Sequence, residues 1–563
     1  MHKKGIILVL SLVIMAILLI LTGSFFFGLI SESGFINREK YIVQVMGLAE
    51  AGASRARSEF NNLLVQNLTA IIDADLSYKF KNYCTNNDPL GLLVHYLNFS
   101  TQACPGACFS VSASPTDLTN AFNLTTVNGS YSAAVIVTQN GTTNFTSHGT
   151  DERYVFHYNY AIESTGMVTK VVPNISRTIR LSQGSFDVSV RRDNFAKYAL
   201  FTNTHTTPSG DIVWFTSNTN FTGPVSTNGN FSFAQNATFT EEVTQHQSRA
   251  RFYNNNSPVL MDADSNPPKD VPRFNPDPDK GFQRGQEVIN LTSSVSQSDL
   301  RNETLGTMNE PGTNGIYIAN NSGRVTGGIY VRGDATITAG VNASNVTIYN
   351  ITQGSTTKAI TIDYVGNRTL VKTGNNTQTY NGTPSGVDGQ GLVFYDNGSI
   401  TSLSGMIQKD SSVTIASKND IVITNNIVYQ QYDTSPTLNA YNYTNVLGII
   451  SWGGNVRIGT SAPNNVTING VVMAPQGIFT VDNYDSGAPR GTATLLGGAI
   501  TDHYGAFGTF NSANPVSGYG RNFIYDARML EGKTPPYFPY LRGFLTAVEG
   551  LNATLPIWQD EGA

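Results

Sequence analysis

Charge is scarce in this sequence. Only 13% of its 563 residues are Asp, Glu, Lys or Arg, about half the roughly 25% usual in soluble domains. Its 35 basic and 40 acidic residues leave a net charge of −5. No basic block exceeds a few residues, so the electrostatic footprint of a nucleic-acid binder is missing. The seven histidines are scattered, and none stands three or four residues from another, so no helix presents a pair to a metal. There is no Gly-x-Ser-x-Gly elbow, no phosphate-cradling Gly-rich loop ending in Lys-Ser/Thr and no dinucleotide fingerprint. Nucleophilic and nucleotide chemistry therefore lose their usual sequence evidence, and no catalytic, cofactor or metal residue is assigned. Cysteine is nearly absent. Cys84, Cys104 and Cys108 lie in one short stretch, where an oxidising compartment allows one disulfide and leaves an odd thiol. Cys104-Pro-Gly-Ala-Cys108 closes a small loop and Cys84 reaches either partner; three free thiols, or a metal shared with His95, are the other readings.

What the chain does have is a long apolar run at its start. Between Gly5 and Ile30 there is no charged residue, and about 37 Å of helix at 1.5 Å per residue spans a hydrocarbon core of about 30 Å. A cleaved signal has a shorter apolar region, about 7–15 residues, with a small-residue site behind it; Thr22-Gly23-Ser24-Phe25 is a poor one. Lys3 and Lys4 precede the run, while Glu32 and Glu39 balance Arg38 and Lys40 behind it, which predicts a single-pass span with a cytoplasmic N-terminus and everything past Ile30 exported. Tyr41, Ile42, Val45, Leu48, Ala49, Ala53, Ala56, Phe60, Leu63 and Leu64 then recur at three- and four-residue steps, so the helix is expected to leave the membrane intact. Around Gly47 to Ala56 its face is made of small residues. Ala49, Gly52, Ala53 and Ala56 form a stalk surface suited to close packing, either on a neighbouring subunit or on the protein's own sheet.

The basic leader Lys3-Lys4-Gly5, the immediate apolar run and the segment Leu48-Ala49-Glu50-Ala51-Gly52 resemble the N-terminal region of type IV pilus assembly proteins of the PilX kind. The resemblance covers roughly the first 60 residues. It implies a pilin-like part in the inner membrane: a long helix that can be drawn into a filament, with a head outside and other pilin-like subunits and pilus assembly machinery as partners. It also implies prepilin-type processing between Gly5 and Ile6. Major pilins carry a glutamate four residues after that cleavage point, and this chain has Leu10 there. An unpaired glutamate in lipid is costly, so its absence favours a protein that initiates, caps or stays beside a filament.

Behind the helix, Tyr131 to Val190 reads as a small antiparallel sheet. Tyr154, Phe156, Tyr158, Tyr160 and Ile162 alternate with Val155, His157, Asn159 and Ala161, which places the aromatic row on one face. Asp211-Ile-Val-Trp-Phe215 and the stretch Phe221 to Phe231 open a region of short strands between Asn-Gly and Gly-Pro turns. A Pro/Asp-rich interval from Asn254 to Gly285 reads as a long irregular connection. From Gly315 to Phe510, short apolar pieces such as Val413-Thr-Ile415, Ile421-Val-Ile423 and Val456-Arg-Ile458 recur every 8–12 residues or so. Short strands with polar turns fit a β-solenoid, and a β-sandwich of the same strands is the alternative. The expected class is mainly β with a long N-terminal α-helix. Its segments are an anchor (1–30), a helical stalk (31–70), a pilin-like antiparallel sheet region (71–195), an irregular β region (196–310), a solenoid-like domain (311–540) and a tail (541–563) that forms one short amphipathic turn and frays. The stretches Ile421–Ile427, Val446–Ser451, Gly520–Arg528 and Pro535–Pro539 resemble an uncharacterised bacterial domain often found behind PilX-like N-termini.

Two further features bear on function. Asp262-Ala-Asp264-Ser-Asn266 begins like a calcium loop but has Pro267 where the turn glycine belongs and Arg273 where the closing carboxylate should be. Roughly two dozen Asn-x-Ser/Thr sequons run from Asn67 to Asn552; Asn suits turns and Thr suits exposed strand faces, so composition alone supplies many of them. The expectation is a non-enzymatic, membrane-anchored pilin-like component displaying a β-rich domain for adhesion or assembly. The competing readings are a static envelope surface protein and a polysaccharide-acting solenoid enzyme. The last needs clustered carboxylates, and Asp363, Asp388, Asp396, Asp420 and Asp502 share no phase in the strand pattern.

Overall fold

The computed structural model describes residues 3–560 except 69–70, 73–75, 87, 102–105, 123–128, 149–150, 170–173, 255–256, 262–270, 276–280, 292–296, 385–390, 410, 432–444, 512–513, 531 and 551–556. It is mainly β, with one long N-terminal helix. That helix, α1 (Lys3–Asn67), runs 65 residues without a proline, about 97 Å at 1.5 Å per residue. Its first part is apolar all round and exposed from Val9 to Ile30, with a mean hydropathy of 2.6 in its most apolar window, so it is long and apolar enough to cross a membrane. From Val45 onward one face is buried: Val45, Ala49, Ala53, Ala56, Phe60 and Leu64 are at most 1% exposed. The three- and four-residue steps read from the sequence are the packed face of this half.

That face lies on an antiparallel sheet of eight strands. They are β1 (Ile71–Ile72), β2 (Ala107–Ala113), β3 (Gly129–Gln139), β4 (Asn144–His148), β5 (Asp151–Val168), β6 (Ile175–Asn194), β7 (Tyr540–Glu549) and β8 (Ile557–Asp560). The order is β1-β7-β6-β5-β3-β2, with β8 also on β6 and β4 on β5. Tyr154, Phe156, Tyr158, Tyr160 and Ile162 all point to the helix side and are buried, as their period-2 spacing requires. The opposite face is polar, carrying His157–Asp187 at 2.8 Å, Glu163–Arg180 at 3.5 Å and a Thr165–Thr178 hydroxyl contact at 2.8 Å.

The tail departs from the sequence reading. Instead of a short amphipathic turn, residues 540–549 form β7 and slot between β1 and β6; the fraying expected from Asp560 onward falls on residues 561–563, outside those described. Phe544 is the physical reason: it is 1% exposed and meets Phe80 edge-on at 5.3 Å, with Val548 on the same side of the strand. The sheet is thus closed by the far end of the chain, and everything from Phe195 to Pro539 is an insertion into it. The two crossings are adjacent, since Phe195 N donates to Pro539 O at 3.1 Å and Tyr540 pairs with Asn194.

In the inserted body most strands pair in parallel, each with the next but one in the chain. One row runs Gly391–Asp396, Ser412–Ser417, Val446–Ser451, Thr467–Ala474 and Pro489–His503. It continues onto Leu200–Thr204, Val225–Thr227 and Val243–Gln245. Spatial order therefore differs from chain order: the first strands of the body stack beyond its last ones. A second row runs Ala335–Val341, Ile400–Ile407, Ile421–Tyr429, Val456–Ile458 and Phe479–Val481. Side-chain oxygens tie successive corners together: Ser399 N donates to Asp334 Oδ1 (2.9 Å), Asn455 N to Asp420 Oδ1 (2.8 Å) and Ile478 N to Asn455 Oδ1 (2.9 Å). Two elements lie outside the expected pattern. Residues 335–381 carry an antiparallel meander whose two-residue loops open on Gly354 and Gly374, at φ 57° and 58°, the left-handed geometry a tight hairpin needs at its first loop position. A helix spans Gln297–Leu305.

Register across the first row lines up one buried, mostly polar column: Val331, Asp396, Ser417, Ser451, then Ala474, Thr501, Thr202, Thr227 and Gln245. Ser417 and Ser451 donate to the carbonyls of Gly398 and Asn419, both at 2.7 Å. Asp396 has no such outlet: it is 0% exposed and neither carboxylate oxygen has a hydrogen-bond partner. Burial, reinforced by Asp334, pushes its pKa up to about 9, so it is a neutral acid in the folded chain. Folding between roughly pH 4 and 9 then takes up a proton at this site, and stability falls as pH rises through that window, by at most about 1.4 kcal/mol per pH unit. Asp396→Asn is expected to raise the unfolding midpoint at pH 7. Its advantage over the native chain should be larger at pH 8 than at pH 5, as measured by denaturant unfolding across that range.

Candidate functional site

Among the described residues no group of three or more His, Cys, Asp and Glu side chains is placed to hold a metal ion. The carboxylates considered above are dispersed. Asp363 sits in a hairpin turn accepting Gly366 N at 2.7 Å and Arg368 Nε at 3.0 Å; Asp420 faces Arg457 at 3.2 Å. Asp502 accepts from Asn203 at 2.8 Å, Asp396 is sealed in the column, and Asp388 lies outside the described residues. The calcium-like segment from Asp262 to Asn266 also lies outside them. His205 is packed against Phe215, Phe231 and Tyr504 at 4.6–5.2 Å, and burial pushes its pKa down to about 3, so it stays neutral.

What the chain does assemble is a helix–sheet seam on the helix whose first part is long and apolar enough to cross a membrane. Gly5 and Ile6 lie inside α1. Ala49, Gly52, Ala53 and Ala56 are buried against the protein's own sheet, the internal one of the two packing partners that the sequence leaves open. At Gly52 an added Cβ would stand 2.8 Å from Tyr131 Cδ2 and overlap Ser164 Oγ. The sheet answers with glycines of its own. A Cβ at Gly166 on β5 would overlap Val45 O and lie 2.8 Å from Ala49 N, and one at Gly129 on β3 would overlap Leu48. Helix backbone and strand backbone are therefore in direct contact. Arg55, paired with Glu59 at 2.6 Å, donates to Tyr131 Oη at 3.1 Å and tethers the same register. Gly166 and Gly129 were not singled out from the sequence, because an isolated glycine in a strand pattern gives no hint of what approaches it.

The cysteines flank this seam. Cys108, on β2, is disulfide-bonded, Cys84 is a free thiol on the helix Leu76–Thr85, and Cys104 lies outside the described residues. Half-burial raises the pKa of Cys84, partly offset by a hydrogen bond with Thr143, so the thiol stays protonated and unreactive at neutral pH.

Above the seam, the two crossings to the inserted body are held by charge. Arg192 meets Glu152 at 3.0 Å and lies over the rings of Tyr540 and Phe544 at 4.4 and 4.7 Å; Lys197 pairs with Asp193 in a buried contact. Further out, Arg528 and Asp526 form a fully buried bidentate pair, at 2.9 and 2.5 Å, and Arg528 Nη1 also donates to Asn445 O at 3.0 Å. This pair fixes the returning segment to the body. It falls in the Asp526-Ala-Arg528 run, where sequence alone marked a likeness but no role.

Gly166→Val is expected to destabilise the protein by about 2 kcal/mol or more, because the strand cannot yield without moving the helix backbone. Gly47→Ala, at an exposed helical position with nothing within 4 Å, is expected to stabilise by up to about 1 kcal/mol. Denaturant unfolding of the full chain in detergent, followed by far-ultraviolet circular dichroism, measures both.

Compared with known families, residues 153–247 match the model of a domain of unknown function, DUF4900. The matched stretch takes in most of β5, all of β6, the first crossing and the strands to Gln245, so it spans the junction between sheet and inserted body. No curated protein and no solved structure matches the chain.

Proposed function

We propose that this protein is a membrane-anchored, pilin-like component of a type IV pilus or a related assembly or export system, and that it displays its β-rich body outside the cytoplasm for adhesion or assembly. The observation that carries this reading is the uninterrupted passage of one helix from an exposed apolar segment onto an antiparallel sheet. Such a helix works as anchor and stalk at once: the apolar half is retained by lipid, and the packed half sets the height and direction of the head. Lys3 and Lys4 orient it with the N-terminus in the cytoplasm, across the inner membrane. Its partners in this reading are other pilin-like subunits and the assembly machinery. The role is structural, with no reaction assigned.

Within this reading the inserted body is a β-solenoid. Parallel pairing between alternate strands, with side-chain ladders at the corners, supports coils stacked one on another. A sandwich would pair its strands antiparallel. A second reading, a static envelope protein that never enters a filament, is favoured by Leu10 in place of the pilin glutamate and by the seam itself. Ala49, Gly52, Ala53 and Ala56 are already covered, so they offer nothing to a neighbouring subunit.

Sequencing the mature N-terminus and assaying sheared filaments separates the two. The pilin-like reading expects a chain beginning at Ile6 that co-purifies with filaments and moves when the assembly ATPase is deleted. A chain beginning at Met1, absent from filaments and unmoved by the deletion, would overturn it in favour of the static protein.

A further inference from the structure

The antiparallel meander ends in a strand that is unusual for a free edge. Asn376–Asn381, Asn-Thr-Gln-Thr-Tyr-Asn, pairs along one side with Arg368–Thr373. On its other side, among the described residues, it pairs only at Asn381, with Arg324. Five of its six residues are exposed, and it contains no charge and no proline. An uncharged, exposed edge offers unpaired backbone groups to any other strand, and proteins normally blunt such edges with charge, proline or a bulge. None of these devices is present here.

Sequons bracket the strand instead. Asn375-Asn-Thr377 begins in the turn opened by Gly374, and Asn381-Gly-Thr383 turns away at its middle residue, Gly382, where φ is 90°. Asn375 and Asn381 are both exposed and neither side-chain amide makes a hydrogen bond. Some other sequon amides are engaged: Asn67 Nδ2 donates to Leu63 O at 3.1 Å, Asn236 Nδ2 to Val271 O at 2.9 Å and Asn397 Nδ2 to Glu310 Oε1 at 3.1 Å. The hydroxyl two residues on is also open at Asn375, since Thr377 is exposed. At nearby Asn367 the corresponding Thr369 is buried and donates to Gly382 O at 2.8 Å. Free amide, accessible hydroxyl and turn geometry thus coincide at Asn375; at Asn381 the amide is free and exposed, Thr383 is half-buried, and the strand's other side is paired with Arg324.

We propose that Asn375 and Asn381 carry N-linked glycans and that these glycans shield the edge strand from pairing with other chains. The donor class is a lipid-linked oligosaccharide phosphate presented outside the cytoplasm. The asparagine Nδ2 bonds to the anomeric carbon and gives up one proton, while the bond from that carbon to the donor phosphate breaks and the lipid phosphate leaves with the electron pair. The proposal rests on the exported placement of the body and is independent of entry into a filament.

The test uses full-length protein purified from the membranes of its native host. Mass spectrometry of peptides spanning Asn375 and Asn381 is expected to find both asparagines shifted by the mass of a sugar chain. The Asn375→Gln, Asn381→Gln double variant, made in that host, is expected to self-associate more than the native chain in light scattering. Adding Thr377→Lys to it should reverse that gain by restoring a charged edge. Peptides found only at their unmodified mass, or a double variant that associates no more than the native chain, would overturn the proposal. Protease added to sealed spheroplasts separates the failures: cleavage of the body with unmodified peptides sinks the glycans alone, and protection of the body sinks the exported placement as well.

Discussion

Backbone contact between α1 and the sheet is the constraint on which the rest depends. Where Ala49 meets Gly166 there is no side chain between helix and strand, and a methyl group on the strand residue would collide with the helix backbone. Such a contact fixes both the rotation of the helix and its height on the sheet, because sliding by one residue would put Leu48 or Glu50 where Ala49 now fits. The aromatic row of β5 then fills the space on either side, with Phe60 packed among Phe99, Tyr160 and Phe186 at 5.5–6.1 Å. Since the same helix carries the segment long and apolar enough to cross a membrane, the seam also sets the direction in which that segment leaves the sheet.

The sheet in turn depends on the far end of the chain. β7 sits between β1 and β6 rather than at an edge, so the head is incomplete until the inserted body has been made and the chain has returned. The body has a similar arrangement: Leu200–Thr204 docks on Pro489–His503, strands separated by most of the sequence. Contacts this distant in sequence close large loops and favour slow folding. The buried Asp526–Arg528 pair and the adjacent crossings at Asn194 and Tyr540 fasten the last of these closures.

Much of the architecture was legible in the sequence, and the reasons are local. Period-2 alternation in Tyr154 to Ile162 and the three- and four-residue steps from Val45 to Leu64 each report one buried face, and those faces are where the pattern placed them. The recurring apolar triplets at Val413, Ile421 and Val456 are strands. What the sequence hid is non-local. The tail reads as a short turn because Phe544 has meaning only beside Phe80, hundreds of residues earlier, and no window contains both. The stacking order of the body is equally invisible, since the pairing of Ala499 with Leu200 leaves no trace in either neighbourhood. Asp396 looks like any strand-end carboxylate until its neighbours in the column close over it. The seam was half visible: the alanines and glycine of α1 announced a close contact, but the answering glycines of β3 and β5 did not.

The adjacency of the two crossings has a mechanical consequence. Because the body leaves and re-enters the sheet at neighbouring strands, any pull on the body against a hold on α1 would load β6 and β7 side by side. Tension would be shared between two strands hydrogen-bonded along their length and sheared as a unit, rather than peeled apart one bond at a time. A head tethered in this way can bear load without first surrendering its own fold.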